Sequence, residues 1–243
     1  MIKKINNINI NYQQYGEGED LVFLHGWGQN IEMMLPLANR LSNKKRITIL
    51  DFPGFGSSEE PKNPYTIYDY VDVLEKLLKE LNVKKPTLIA HSFGGRVAIV
   101  YASRNNVSKV VLFGSPCIRK EVNSKKIAFY KKVKKLPGMN KISEIAKNYL
   151  GSPDYKNASL IMRKTLVNVI NQDLSEEAKK IEAPTLLIWG TNDQAAPLED
   201  AKQLEKLLKD GALIELEGYT HYAYLEAIDQ VTNILNNFIN NQN

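Results

Sequence analysis

Short apolar runs alternate with amphipathic segments along most of the chain. The runs are bounded by turn-forming residues, as strands are, whereas the amphipathic segments repeat their apolar positions every three or four residues, as helices do. The predicted strands lie near residues 2–5, 8–15, 21–25, 46–51, 87–91, 107–113, 184–190 and 212–216. The predicted helices lie near residues 31–41, 67–81, 93–104, 198–209 and 222–238. This α/β pattern predicts a mostly parallel sheet with helices on both faces, preceded by a hairpin that turns at Asn6-Asn7.

The alternation stops between about residues 115 and 181. Apolar positions recur there at helical spacing and no strand-like run appears, so we predict several helices, broken at Pro137-Gly138 and near Gly151. The chain is therefore divided into an α/β core, residues 1–114 and 182–243, and a helical insertion, residues 115–181.

The composition agrees with a compact domain. A chain of 243 residues with 43% hydrophobic content can form one full-sized domain that carries an insertion. Cys117 is the single cysteine, so an internal disulfide is excluded and a reducing compartment is natural. The first residues lack an apolar stretch long enough for a signal peptide or a membrane span, and we expect a cytoplasmic protein.

The most informative motif is Ala90-His91-Ser92-Phe93-Gly94-Gly95, which joins a predicted strand to a predicted helix. A serine at the apex of such a turn, with small residues two positions to either side, is the pattern of a nucleophile elbow. The turn strains the backbone, and side chains larger than those of Ala90 and Gly94 would collide there; Gly95 lets the helix pack close to the sheet. The alternative is that Ser92 only caps the helix.

Two later residues complete the order serine, aspartate, histidine that hydrolases with this elbow use. Asp193 follows the strand near 184–190, at the carboxyl end where α/β sheets place their sites, and His221 follows the last strand. Ser92 would attack, His221 would take and return the proton, and Asp193 would hold the histidine tautomer. Taken singly, Asp193 is also consistent with an Asx turn and His221 with an exposed loop histidine. The shared order favours a catalytic triad.

The turn after the early strand, His25-Gly26-Trp27-Gly28, predicts an oxyanion hole. A tetrahedral intermediate needs N–H donors, one from the residue after the nucleophile and one from this turn. We predict the backbone N–H groups of Phe93 and Trp27 as these donors. His25 and His91 are interpreted as structural histidines.

Together these motifs resemble those of the α/β-hydrolase superfamily of esterases and related enzymes. The resemblance covers nearly the whole length, and it is carried by residues 25–28, 51–58, 90–95, 190–193 and 218–221. It implies the α/β-hydrolase fold, with the helical insertion as a cap that controls substrate entry. A serine at the elbow argues against the haloalkane dehalogenase and epoxide hydrolase branches, which use aspartate. No cofactor is expected, because the triad can complete acyl transfer with water alone.

The leading hypothesis is a serine carboxylesterase that hydrolyses small to medium acyl esters through an acyl-enzyme intermediate. Trp27, Phe93, Tyr130 and Tyr149 are expected to line an apolar substrate pocket. Several motifs also resemble the pimeloyl-carrier methyl esterases of biotin synthesis. Gly94-Gly95-Arg96 occurs as well in C–C bond hydrolases and in the related menaquinone-pathway lyase. A hydrolase-fold ligand sensor that keeps an intact triad would have the same sequence features.

Basic residues are concentrated in the insertion. Residues 119–147 carry ten Lys and Arg against Glu121 and Glu144, a net charge of +8, while the whole chain is +5. Such a segment is suited to an acidic partner such as a carrier protein. Solvated lysines on outer helix faces are the simpler explanation in a chain rich in Lys, Asn and Ile. We therefore expect a small-molecule ester as substrate, with no nucleic-acid partner, no membrane span and no metal site.

Overall fold

The computed structural model describes residues 1–118 and 158–241. Within them, eight strands form one sheet in the order β1-β2-β4-β3-β5-β6-β7-β8. The strands are β1 (Ile2–Ile5), β2 (Ile8–Tyr15), β3 (Glu19–Leu24), β4 (Lys45–Leu50), β5 (Thr87–His91), β6 (Lys109–Phe113), β7 (Thr185–Gly190) and β8 (Gly211–Leu216). The helices are α1 (Ile31–Arg40), α2 (Ile67–Glu80), α3 (Phe93–Ala102), α4 (Leu160–Asn171), α5 (Ser175–Ala178), α6 (Leu198–Glu205), α7 (Ala223–Glu226) and α8 (Ile228–Asn240).

The sheet is antiparallel only at its first edge. β1 pairs with β2 and β2 with β4 in antiparallel register, and every later pair is parallel. Asn6 and Asn7 both have positive φ angles, 50° and 63°, which suits the two-residue turn between β1 and β2. The predicted α/β fold class is confirmed. Parallel pairing brings the carboxyl ends of β3, β5, β6 and β7 to one edge of the sheet.

Helices cover both faces of the sheet, which explains why its central strands are continuously apolar. In β3, Leu21 and Phe23 pack with α1 and α8, whereas Val22 and Leu24 pack with α2 and α3 on the other face. All four side chains are fully buried, because alternate strand residues point to opposite, equally covered faces. In the described part of the chain, no helix combines the length and the apolar character needed to cross a membrane.

The predicted helix near 222–238 is wrong as a single element. Two helices, α7 and α8, meet at Ala227, whose backbone (φ −111°, ψ 38°) is not helical. Different contacts fix the two pieces. In α7, Glu226 accepts hydrogen bonds from Thr220, while α8 follows the sheet with an apolar stripe that includes Val231. The break therefore separates a short helix that is bound to the preceding loop from a longer helix that packs on the sheet.

Only the ends of the predicted insertion, residues 115–118 and 158–181, lie in the described part of the chain. The second of these contains α4 and α5. The Tyr65 N–H donates to Thr165 Oγ1 at 3.0 Å, and the Ile67 N–H donates to Gln172 Oε1 at 2.8 Å, so α4 is fixed beside the start of α2. The predicted breaks at Pro137-Gly138 and near Gly151 lie outside the described residues, and the domain division stays a prediction.

Asp51, directly after β4, is a buried acid with a structural set of partners. Its Oδ1 accepts from the Ile31 N–H at 2.7 Å, and its Oδ2 accepts from Asn11 Nδ2 and the Ser57 N–H, each at 2.8 Å. Gly56, with φ +53°, passes so close that a Cβ there would overlap the Asp51 carboxyl group. This carboxylate joins β2, the first residue of α1 and the turn after β4.

Candidate active site

Ser92 lies between β5 and α3 with a strained backbone. Its φ of 51° and ψ of −112° are rare for a residue with a side chain, and such strain persists only where the surroundings impose it. The Ser92 N–H donates to the Phe113 carbonyl at 2.8 Å, which fixes the turn to β6. The Ser92 side chain makes no capping hydrogen bond with α3, so the helix-cap interpretation is wrong.

The two glycines after Ser92 let α3 start against the sheet. A Cβ on Gly94 would overlap the Leu24 carbonyl oxygen and lie 2.6 Å from that of His25. A Cβ on Gly95 would overlap the Ser115 hydroxyl group. The beginning of α3 is therefore in contact with the ends of β3 and β6. This close approach explains why the turn needs small residues at both positions.

Asp193 and His221 form a hydrogen-bonded pair. His221 Nδ1 lies 2.7 Å from Asp193 Oδ2, and the carboxylate is almost fully buried. The other oxygen, Oδ1, accepts from the N–H groups of Ala195 at 2.9 Å and Ala196 at 2.8 Å. The Asx-type turn and the histidine pair thus occur together, and the turn orients the carboxylate toward His221. Pairing through Nδ1 leaves the Nε2 of His221 for a further partner.

Gly114 is a site residue that the sequence analysis missed. It follows β6 with φ +51°, and a Cβ there would lie 2.8 Å from His221 Nδ1 and 3.0 Å from Asp193 Oδ2. The pair is therefore built over a position that must lack a side chain. The available signal was a glycine at the carboxyl end of a strand neighbouring the elbow.

Ser92 and His221 line one small cavity of about 30 Å³. Its walls are mostly apolar, and α4 supplies a large part of them. The other lining residues are Trp27, Phe93, Arg96, Pro116, Leu166, Val169, Ile170, Ala195 and Ala196. Trp27 and Phe93 lie where the sequence analysis expected them, whereas Tyr130 and Tyr149 lie outside the described residues. The contribution of α4 was missed, although its apolar residues follow helical spacing.

The turn that carries Trp27 lies beside the start of α3. The Gln29 N–H donates to the Gly26 carbonyl at 3.2 Å, and Gly28 supplies a left-handed conformation (φ 72°). The Trp27 ring meets the Phe93 ring edge to face, with centroids 5.5 Å apart. The two residues predicted to form an oxyanion hole are therefore neighbours.

His25 is a buried histidine with both ring nitrogens engaged. Nε2 accepts from the Phe52 N–H at 3.0 Å, so Nδ1 carries the proton and donates to the Gly26 carbonyl at 2.7 Å. Burial lowers the pKa of His25 to about 4, and the ring is neutral at physiological pH. These contacts give His25 a structural role between the turn after β3 and the turn after β4.

Arg96, one turn after Ser92, connects α3 to the described part of the insertion. Its buried guanidinium donates to the carbonyls of Pro116 at 2.7 Å, Val169 at 2.9 Å and Gln172. Two of these carbonyls belong to the carboxyl end of α4, which a cation stabilises. Arg96 thereby holds the helix that forms a wall of the cavity. Among the described residues, no group of His, Cys, Asp and Glu side chains is arranged to hold a metal ion.

Two family models match the chain. A model for the alpha/beta hydrolase fold matches residues 21–132, which include Ser92, and a model described as TAP-like protein matches residues 167–242, which include Asp193 and His221. The first match includes the strand-turn-helix segment at Ser92, and the second includes β7 and β8. The chain belongs to the α/β-hydrolase superfamily.

Proteins similar to this chain are named as several different enzymes. A pimeloyl-[acyl-carrier protein] methyl ester esterase from Aliivibrio fischeri is 25% identical over 94% of this chain and 96% of its own length. A proline iminopeptidase from Saccharolobus solfataricus is 27% identical over 98% of this chain and 91% of its own length. An esterase structure from Exiguobacterium antarcticum has a TM-score of 0.79 at 21% identity, covering 99% and 98% of the two chains. These likenesses leave the substrate open.

We predict that Gly114→Ala disturbs the Asp193–His221 pair. The added Cβ would lie closer than van der Waals contact to both side chains, so they must move. Displacement of reacting groups by about 1 Å costs on the order of a hundredfold in rate. The turnover number for a p-nitrophenyl ester should fall accordingly. Gly218→Ala is the matched control, because Gly218 has φ +82° but an added Cβ meets nothing within 4 Å. Equal, small losses in the two variants would contradict the prediction.

Proposed function

We propose that this α/β-hydrolase is a serine carboxylesterase that hydrolyses small to medium acyl esters. The proposed catalytic residues are Ser92 as nucleophile, His221 as general base and acid, and Asp193 as the acid that orients His221. The observation that supports this most strongly is the Asp193–His221 hydrogen bond of 2.7 Å beside a cavity that Ser92 also lines. A strained serine, a buried carboxylate and a paired histidine that follow β5, β7 and β8 at one edge of the sheet are suited to acyl transfer.

In the proposed acylation step, Ser92 Oγ attacks the ester carbonyl carbon while its proton passes to His221 Nε2. The carbonyl π electrons move to oxygen and give a tetrahedral intermediate. The intermediate collapses when the bond to the alcohol oxygen breaks, and His221 returns the proton to that oxygen. The alcohol leaves, and the acyl group stays on Ser92.

In the proposed deacylation step, a water molecule takes the place of the alcohol. His221 accepts a proton from the water as the water oxygen attacks the acyl carbon, and it then returns the proton to Ser92 Oγ as the acid leaves. Atoms and charges balance with water as the co-substrate. The reaction as written requires no cofactor.

Asp193 is suited to hold His221 in the required tautomer. Its Oδ1 is occupied by two backbone N–H donors, so Oδ2 is left as the acceptor for the Nδ1–H of His221. With the proton on Nδ1, Nε2 has a free lone pair for the Ser92 hydroxyl. The carboxylate also stabilises the imidazolium that forms during attack.

The backbone N–H groups of Phe93 and Trp27 are the proposed oxyanion hole. Phe93 is the first residue of α3, and the first N–H groups of a helix have no partner within the helix. The positive end of the helix dipole favours a developing negative charge at this point. Trp27 lies against Phe93 on the adjoining turn, from which the second donor would come.

The cavity favours an uncharged, largely apolar acyl or alkyl group. Leu166, Val169 and Ile170 form an apolar wall on α4, and Trp27 and Phe93 add aromatic surface. The described wall thus supports an ester with an apolar acyl or alkyl group as substrate.

A second candidate is a methyl esterase that acts on an acyl chain attached to a carrier protein. The Aliivibrio relative, which spans 94% of this chain, favours it. Residues 119–147, with their net charge of +8, would be the docking surface for an acidic carrier. A sensor without turnover would instead leave p-nitrophenyl esters uncleaved.

We predict a clear separation between the two strand-end aspartates. Asp193→Asn should lower the turnover number for p-nitrophenyl butyrate on the order of 10⁴-fold, because the amide favours the wrong tautomer of His221. Ser92→Ala should lose up to about a millionfold. Asp51→Asn is the matched control. The NH₂ group of the new amide would face the N–H group of Ile31 or Ser57, which is also a donor, so the free energy of unfolding should drop by about 1–3 kcal/mol. Near-native turnover in Asp193→Asn would assign the acid elsewhere.

We predict that the basic segment does not select carrier-bound substrates. If it docks an acidic carrier, kcat/KM for a carrier-linked ester should fall with salt, because screening shortens to about 8 Å at physiological ionic strength. We expect instead that carrier-linked and free methyl esters respond alike. The comparison is made at low and high salt, in the native protein and with Lys131, Lys132, Lys134 and Lys135 changed to Gln. A loss confined to the carrier-linked ester would contradict this expectation and support the second candidate.

A further inference from the structure

We propose that His91, the residue before the elbow serine, is a positioning residue that fixes the backbone of His221 relative to Ser92 and the Trp27 turn. This inference rests on the proposed function, because it assigns His91 to the support of the proposed triad. His91 is not among the residues that line the cavity, so it would act through His221 and not on the substrate.

The contacts of His91 connect two loops of the site. His91 is fully buried, and its Nε2 donates to the His221 carbonyl oxygen at 3.0 Å. Its Nδ1 lies 3.2 Å from Gln29 Oε1, and the same oxygen accepts from the Gly26 N–H at 2.9 Å. One side chain thus spans from the histidine loop to the turn that carries Trp27.

The chemistry of the partners assigns the proton on His91. A backbone carbonyl can only accept, so the proton of the neutral ring lies on Nε2. Burial and the neighbouring His221 lower the pKa of His91 well below its ordinary value, which keeps the ring neutral. Gln29 Oε1 accepts from the Gly26 N–H, so its approach to the unprotonated Nδ1 of His91 is a packing contact and not a hydrogen bond.

Packing confines the His91 ring from several sides. Its centroid lies 4.7 Å from that of His221 and 4.8 Å from that of Tyr224, whose own ring stacks on Phe113. On the opposite side, a Cβ on Gly26 would lie only 2.8 Å from His91 Nδ1. The ring therefore has little freedom to turn, and its Nε2–H is fixed in direction.

The bond to His221 complements the one from Asp193. Asp193 orients the imidazole ring through Nδ1, whereas His91 fixes the main chain from which that ring extends. Because His91 immediately precedes Ser92, the bond sets the separation of the nucleophile backbone and the base backbone. Such support matters because general-base catalysis requires hydrogen-bond contact between the two groups.

The test compares two side chains of similar length at position 91. His91→Gln keeps a terminal N–H donor that can reach the His221 carbonyl, and His91→Met does not. We expect His91→Met to lower kcat for p-nitrophenyl butyrate about 10- to 100-fold with KM nearly unchanged, since misplaced groups affect mainly the chemical step. His91→Gln should recover at least about tenfold of that loss. If His91→Met does not fold, His91→Asn, too short to reach the carbonyl, replaces it.

The control for stability is Thr48→Val. Thr48 is fully buried in β4 and accepts from Gln14 Nε2 at 3.0 Å, so its replacement removes a partly buried hydrogen bond outside the cavity lining. This variant should lose melting temperature but keep native kcat. Native kcat in His91→Met, a loss seen only in KM, or equal losses in the Met and Gln variants would overturn the positioning role.

A second readout separates this inference from the proposed substrate class. The rate of inactivation by a fluorophosphonate reports the reactivity of Ser92 without reference to any ester substrate. A native protein that reacts with the phosphonate but cleaves no ester would contradict the esterase proposal alone. The order native, Gln variant, Met variant in inactivation rate would then still support the role of His91, and equal rates would overturn it.

Discussion

The close approach of α3 to the sheet is the constraint on which the rest of the site depends. Gly94 and Gly95 let the helix begin in contact with the ends of β3 and β6, and this forces Ser92 into a left-handed conformation that costs about 1–3 kcal/mol. Parallel pairing from β5 through β6 and β7 to β8 brings the two loops of Asp193 and His221 to the same edge. Relaxing the turn would remove the serine from this edge even if every other side chain stayed in place.

Burial and partner number give similar residues different roles along this edge. Asp51 and Asp193 both follow strands and both are buried. Both carboxylate oxygens of Asp51 accept from groups that hold the fold together, whereas Oδ2 of Asp193 binds His221. The histidines divide in the same way. His25 is closed off by two backbone partners, while His221 is bound through one nitrogen and lines the cavity. Asp193 and His221 are therefore the aspartate and the histidine that bind each other beside the cavity.

The elements that form the sheet could be predicted from the sequence because their apolar runs are short, continuous and bounded by turn residues. The break at Ala227 could not, since no proline or glycine marks it. Gly114 was missed because its importance comes from two side chains about 80 and 110 residues away in the chain, which only the folded sheet brings together. The apolar face of α4 was visible in the sequence, but its position beside Ser92 depends on the contacts of Arg96 and Thr165.

The central claim is that Ser92 is the nucleophile, and the most direct test is the location of a covalent adduct. After reaction with a fluorophosphonate, tryptic digestion yields a peptide of residues 85–96, in which Ser92 is the single serine, and a separate peptide of residues 110–119 that contains Ser115. Mass spectrometry of the digest should show one phosphonate adduct, confined to the first peptide. An adduct on the second peptide or on any other segment, or an unmodified protein after prolonged reaction, would contradict the account.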